Sequence, residues 1–374
     1  MPKNLYTNVE KDNILKNFDF RLMLLTLAAS VFGIVMISSA APAPFKYVFV
    51  QSAALVMGIA AIFLIMIADY EYLAEKSKYI YGISLILLIL VLIPGIGYKD
   101  NGARSWFRFG SLIGVQPAEI VKLGFIITFS KHISSCGQLL NRPKNILMLL
   151  LHIGAIAGLI LLQPDFGTAA VFVCMAFVML FVAGLAVKYI AALFGVIIAA
   201  APIAWFFLLQ PYQKNRILTL FNPESDPLGT GYHVVHSKIT VGSGKLFGNG
   251  LFSGASQYNN FLPERHTDFI FSVVCEELGL VGALLVIFLL SAIIVRCIRI
   301  GLSARNDLGK YICVGVAAMF TFHLIENVGM CIGIMPVTGI PLPFFSYGGS
   351  SLLTNLVAIA LVMNVKYRSK VINF

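Results

Sequence analysis

Ten apolar runs, each close to the length a helix needs to cross a bilayer, divide this sequence between residues 20 and 365. A helix rises about 1.5 Å per residue, so about 20 residues span the hydrocarbon layer. The runs are 20–39, 47–68, 79–97, 117–135, 145–162, 167–184, 188–209, 269–295, 309–335 and 349–365. They predict an all-α, polytopic integral membrane protein with about ten transmembrane helices and one long extracytoplasmic loop. Charged residues are only 12% of the chain and apolar residues 59%, against roughly a quarter charged in soluble domains. A water-covered globule cannot be built from that mixture. Ala41-Pro42-Ala43 resembles a signal cleavage site, but the run before it, Phe20 to Ser39, exceeds the about 7–15 residues of a signal core and reads as the first membrane helix.

The cations set an orientation. With the N-terminus in the cytoplasm, 17 Lys and Arg fall inside, 9 outside, and Lys122 lies within a span, which accounts for all 27. The segments are then 1–19 cytoplasmic, 20–209 membrane helices one to seven, 210–268 the extracytoplasmic loop, 269–365 helices eight to ten, and 366–374 a cytoplasmic tail. Both termini are cytoplasmic, in keeping with the excess of Lys and Arg inside. The net charge of +10 is spread through short segments with no dense basic run, so no nucleic-acid partner is expected. Lys99, Arg104 and Arg108 break the pattern by crowding one short outside loop. An anionic ligand at the outer face, or anionic lipid headgroups, would account for them.

The six cysteines form no C-x-x-C pair and avoid the polar stretch from Gln210 to Thr267. Buried packing is their expected role, with no disulfide framework or zinc site.

Ionisable groups inside a membrane are costly and point to function by default. Glu119 and Lys122 are three apart on the fourth span, and His323 and Glu326 three apart on the ninth, so each pair shares a helix face and mutual pairing is the simplest account. Glu119 and Lys122 could also line a polar cavity near the outer face. Gln163-Pro164-Asp165 turns between spans, with Asp165 placed to cap the next helix or to touch a substrate. The densest constellation is Glu264-Arg265-His266-Thr267-Asp268, directly ahead of the eighth span. A carboxylate at the membrane rim is partly desolvated, which raises its basicity and suits it to take a proton. Asp268 as N-cap of the eighth span is an equal alternative. Pro341 to Ser351, with two prolines and Gly348-Gly349, breaks helix at membrane depth and must be buried in protein or line a cavity.

These residues resemble the SEDS family (shape, elongation, division and sporulation). The matching stretches are Gly102-Ala-Arg-Ser-Trp106, Gln116-Pro-Ala-Glu119-Ile-Val-Lys122, Gln163-Pro-Asp-Phe-Gly-Thr168, Asp226-Pro-Leu-Gly-Thr-Gly-Tyr-His233, Phe261-Leu-Pro-Glu-Arg-His-Thr-Asp-Phe269, Glu276-Glu-Leu-Gly279 and Ser346-Tyr-Gly-Gly-Ser350. They follow the family's order over nearly the whole chain. Arg265 and Pro336-Val-Thr-Gly339 look like the elongation branch. Lys245 stands where the family often has a second glycine.

The resemblance implies a peptidoglycan glycosyltransferase of the bacterial cytoplasmic (inner) membrane. Its substrates would be lipid II and a polyprenyl-linked glycan chain. A class B penicillin-binding protein would be its transpeptidase partner, alongside other elongation-complex membrane proteins and membrane lipid. The family's essential aspartate falls on Asp268, the candidate general base. The candidate substrate-binding set is Arg104, Trp106, Arg108, Glu119, Lys122, Gln163, Asp165, Lys214, Arg216, Arg265, His266 and Ser346, within which the cations would hold a pyrophosphate. A divalent cation (Mg or Mn) could share that task, although the sequence displays no evident metal site. A flippase for lipid-linked precursors, or a scaffold without activity, are the rival readings.

Overall fold

The computed structural model describes residues 18–369 except 101–102, 110–112, 209, 224–225, 227–228 and 255–261. Gly102, Pro227, Leu228 and Phe261 of the matching stretches, and the cations Lys3, Lys11, Lys16 and Lys370, lie outside the described residues.

All ten expected spans are helices. They are α1 (Phe20–Ala40), α2 (Pro44–Ile67), α4 (Ser77–Leu92), α5 (Pro117–Cys136), α6 (Pro143–Leu161), α7 (Phe166–Val182), α8 (Val187–Ile203), α11 (Ile270–Leu302), α12 (Asp307–Cys331) and α13 (Gly349–Arg368). A short α3 (Tyr70–Glu75) follows α2, and a π-helical turn, Ala204–Leu208, prolongs α8. Among the described residues α1, α2, α6, α11, α12 and α13 are long and apolar enough to cross a membrane, while α4 and α7 are apolar but shorter.

Two parts of the reading are refined. The third run was expected to reach residue 97, yet the helix stops at Leu92, where Pro94 forbids a helical Ile93 and Gly95 takes φ +93°. The chain then builds an antiparallel sheet: β1 (Tyr98–Asp100), β2 (Ala103–Phe109) and β3 (Ile113–Val115). Lys99 pairs with Arg104, and Phe107 with Val115. Arg-Ser-Trp-Phe-Arg-Phe carries the aromatic residues that favour strands, so the crowded cations are held on a small sheet. The long loop, in turn, contains α9 (Pro211–Phe221) and α10 (Thr230–Ser243).

The interior belongs to α12 and α13, the most buried of the six long apolar helices just named. The most extensive packing is α13 on α2, followed by α11 on α12, with α7 and α5 against α12. Close approach sets the path of the segment before α13: a Cβ on Gly33 would lie 2.3 Å from the Phe344 carbonyl oxygen. Leu342, Phe344 and Phe345 are buried there, so this helix-breaking stretch is enclosed in protein, as backbone at membrane depth must be.

α11 is broken at Gly279, where φ is +66°. Leu280 N–H donates to the Lys245 carbonyl at 2.9 Å and Val281 N–H to the Leu246 carbonyl at 3.3 Å. The chain after α10 therefore supplies the acceptors that the break removes. Lys245, the departure from the family's glycine, takes φ +49°, a conformation that costs a side-chain-bearing residue energy. Four of the six cysteines are buried and all six are free thiols.

Candidate active site

The turn before α11 is built around one acceptor. The Glu264 carbonyl receives the N–H groups of Thr267, Asp268 and Phe269 at 3.2, 3.1 and 3.2 Å. α11 starts at Ile270 with Phe269 as its N-cap residue and no side-chain cap. The capping alternative for Asp268 is thereby overturned: its carboxylate is not spent on the helix it precedes.

Long-range ties fix the turn. Asn327 on α12 donates through Nδ2 to the Asp268 carbonyl at 2.8 Å and to the Ile340 carbonyl at 2.9 Å. Ser346 Oγ donates to the Thr267 carbonyl at 2.6 Å and accepts the Leu342 N–H at 2.8 Å. Tyr347 N–H donates to the His266 carbonyl at 2.9 Å, and the His266 ring packs edge-on against Tyr47 at 4.8 Å. Gln51, fully buried on α2, donates to the Ser346 carbonyl and accepts the Gly348 N–H, both at 3.1 Å. Ser346 and His266 thus act on Asp268 through the backbone.

The Asp268 carboxylate faces Gly339, where an added Cβ would sit 3.3 Å from Oδ2. Burial first, then the charge of Glu264, push this carboxyl up to about 7, with Arg216 pulling the other way. A carboxyl near 7 is matched to accept a proton at neutral pH. Burial lowers the His266 imidazole below its ordinary value, which keeps that ring neutral.

The predicted cations separate into groups. Arg216, half-buried on α9, is within electrostatic reach of Asp268, and Lys214 is half-buried two residues before it. Arg265 is 6% exposed and donates through Nε to the Ala40 carbonyl at 2.6 Å, so it anchors the turn to α1. Arg104 Nη1 donates to the Leu92 carbonyl at 3.2 Å, tying the sheet to the end of α4. The Arg108 guanidinium lies 3.6 Å over the Tyr98 ring. Trp106 is half-buried on β2, its ring 3.1 Å from where a Gly114 Cβ would stand.

Lys122 is 1% exposed; its Nζ contacts Glu119 Oε1 at 2.8 Å and His323 Nε2 at 3.3 Å. His323 Nδ1 meets the Pro341 carbonyl at 3.0 Å, which assigns a neutral ring that accepts from Lys122 and donates to Pro341. The expected Glu119–Lys122 pair is formed. The expected His323–Glu326 pair is not, because each residue meets a partner on another element: Glu326 accepts from the Thr338 hydroxyl.

Asp165 caps α7, accepting the Thr168 N–H at 2.9 Å, and also accepts from Gln116 Nε2 at 3.3 Å. Gln163 is buried and donates to the Leu88 carbonyl at 3.3 Å. Asn327 and Gln51 were not singled out from the sequence, since their contacts to the site cross up to 297 positions, and Gly339 was read there only as part of the stretch that resembles the elongation branch. Among the described residues no three His, Cys, Asp or Glu side chains gather into a metal-binding group.

The model for the FtsW, RodA and SpoVE family of cell cycle proteins matches residues 20–371. Stage V sporulation protein E of Bacillus subtilis is 37% identical, with 94% of this chain and 98% of that protein covered. Peptidoglycan glycosyltransferase MrdB of Escherichia coli K12 is 34% identical, with 96% and 95% covered. A solved structure bearing on coordination of polymerization and crosslinking by a peptidoglycan synthase complex superposes with a TM-score of 0.83 at 34% identity, covering 94% of this chain and 98% of its own.

Proposed function

This chain belongs to the FtsW/RodA/SpoVE family, and we infer that it is a peptidoglycan glycosyltransferase that polymerises lipid II, with Asp268 as the general base. The observation that carries the assignment of the base is the treatment of Asp268. Its main chain is clamped by Asn327 and Glu264, while its carboxylate is left uncommitted to capping. A group held in place by its backbone keeps its side chain for chemistry.

The reaction joins the 4-hydroxyl of one sugar to the anomeric carbon of another carried on a polyprenyl pyrophosphate. Inversion from α to β needs one in-line displacement. Asp268 accepts the hydroxyl proton as the new C–O bond forms, and the pyrophosphate leaves with the electron pair of the broken bond. Negative charge grows on that leaving group, so a guanidinium beside it stabilises the transition state more than the ground state. Arg216 is the cation whose field reaches Asp268, and Lys214 precedes it on α9. Arg216→Ala is expected to lower kcat/KM for lipid II by tenfold or more, the loss of about 1.4 kcal/mol or more from one charge-assisted contact. Unchanged donor kinetics would remove Arg216 from this role.

The cation distribution, 17 inside against 9 outside, supports cytoplasmic termini and, with them, a turn at 264–269 facing the outer side of the cytoplasmic membrane. Arg265 and Pro336-Val-Thr-Gly339 support a place in the elongation branch. A class B penicillin-binding protein is the proposed partner. The likeness to the chain of a synthase complex that coordinates polymerization with crosslinking supports it. Polymerisation of defined lipid II by the purified chain, with and without that partner, tests the reading. Glycan product is expected, and movement of precursor across a bilayer without bond formation would favour a flippase.

A further inference from the structure

Where α1 begins and α11 ends, the two helices part around a cleft of about 210 Å³ lined by Arg21, Leu25, Ala292, Val295, Arg296 and Arg299. Helical spacing explains the lining. Arg21 and Leu25 are one turn apart on α1, while 292, 295, 296 and 299 form one stripe of α11. The arginines lie toward the membrane rim and the apolar members deeper. At about 1.5 Å per residue, Leu25 is about 6 Å further in than Arg21, and Ala292 about 10 Å further in than Arg299. The cleft is therefore cationic at its mouth and apolar at its floor. Phe20, Leu24, Ile298 and Leu302 beside it are exposed, as side chains that meet acyl chains are.

The carboxylate of Asp19, 5% exposed, is already committed. It caps α1 by accepting the Leu22 N–H at 3.0 Å, and Arg296 donates to its Oδ2 through Nη2 at 2.6 Å and Nε at 3.0 Å. That pair fastens α1 to α11. Arg21 and Arg299, both exposed, have no carboxylate partner among the described residues. Arg299 suits the negative end of the α11 dipole, whereas Arg21 sits in the first turn of α1, at the positive end. An excess of cations on the inner side would account for both charges. It does not account for a cleft between them with an apolar floor.

We propose that this cleft binds one anionic phospholipid of the surrounding membrane, its phosphate held by Arg21 and Arg299 and an acyl chain lying along Leu25, Ala292 and Val295. Guanidinium forks match phosphate oxygens, and basic clefts between membrane helices recruit anionic headgroups. Residues 1–17 carry three lysines against two acids, so that segment does not complement the cleft by charge. The lipid bridges the start of α1 and the end of α11, adding to the tie between Asp19 and Arg296. The site lies at the opposite end of α11 from Asp268 and does not depend on the assignment of the base.

Native mass spectrometry of the purified full chain, stripped of lipid in detergent and titrated with phosphatidylglycerol, reads the occupancy. One lipid should bind ahead of any others, and phosphatidylcholine should bind at least about fivefold more weakly. In the double variant Arg21→Gln, Arg299→Gln the affinity for that first lipid should fall about thirtyfold, since each cation beside an anionic headgroup is worth about fivefold. Arg296 stays in place to hold Asp19. Arg299→Gln alone serves where the double variant fails to accumulate, with a loss of about fivefold. Lys76→Gln, Lys78→Gln removes two exposed cations from the same end of the bundle and should leave the first lipid bound. An equal loss from that control pair would make the binding a general effect of surface charge and overturn the proposal. Equal affinity for the two lipids would overturn it as well, as would binding of free glycerol phosphate as tightly as the lipid. A dimer mass without lipid would give the cleft to a second copy of the chain.

Discussion

Asp268→Asn is expected to abolish glycan polymerisation by the purified chain, with a loss of at least about 100-fold in kcat, the low end of what general-base catalysis contributes. The fold should survive. The hydrogen bonds that place residue 268 use its carbonyl, held by Asn327 at 2.8 Å, and its N–H, held by the Glu264 carbonyl at 3.1 Å. Asn keeps both, and it removes a carboxylate that burial disfavours, so the unfolding midpoint should be unchanged or higher. Gel separation of lipid II products, alongside thermal unfolding of the same preparation in detergent, checks both halves. An inactive variant that is also unstable would leave the loss with the scaffold, and full polymer yield would remove Asp268 from the chemistry.

The second large effect is on stability. Lys122→Met should destabilise the protein by about 3 kcal/mol or more, the usual result of breaking one side of a buried ion pair. Glu119 is 4% exposed, and its Oε2 already has no partner among the described residues. Losing the Lys122 ammonium would strand the remaining oxygen and leave His323 Nε2 without its donor. Met fills the stem volume, so the loss reports charge and hydrogen bonding more than packing. The double variant Glu119→Gln, Lys122→Met should recover much of the deficit, because no charge is then left uncompensated. The shift in unfolding midpoint measures both. A single variant as stable as the parent would mean that Lys122 does not hold α5 against α12 through His323.

Much of this architecture is written in hydropathy. Each of the ten apolar runs became a helix, since the bilayer admits few alternatives for a long apolar segment. The errors fell where hydropathy stops deciding. Residues 93–97 are apolar enough to extend α4, but Pro94 and Gly95 end it and the strands at 98–115 follow. The segments 211–221 and 230–243 are less apolar than the membrane helices around them, and their helices were hidden within what read as a loop.

The site was legible in part for a similar reason. The Glu264-to-Asp268 cluster is contiguous and could be found by spacing alone. Whether the Asp268 carboxylate caps α11 or stays free of it depended on the Glu264 carbonyl collecting three N–H groups, a local geometry that composition does not encode. Spacing of three correctly paired Glu119 with Lys122 and wrongly paired His323 with Glu326. In the second case Thr338 and Lys122, from other elements, arrived as better partners. Asn327 and Gln51 are isolated polar residues in apolar helices, and no spacing marks them before the fold brings them to the turn.

The most direct measurement on the proton-accepting role is the pH profile of kcat/KM for the unaltered chain with defined lipid II. A base must be unprotonated to act. With Asp268 raised from its ordinary value to about 7, the rate should fall about tenfold for each pH unit below that point and level off above it. A profile that stays flat down to about pH 5 would contradict a buried carboxylate as the group that takes the proton.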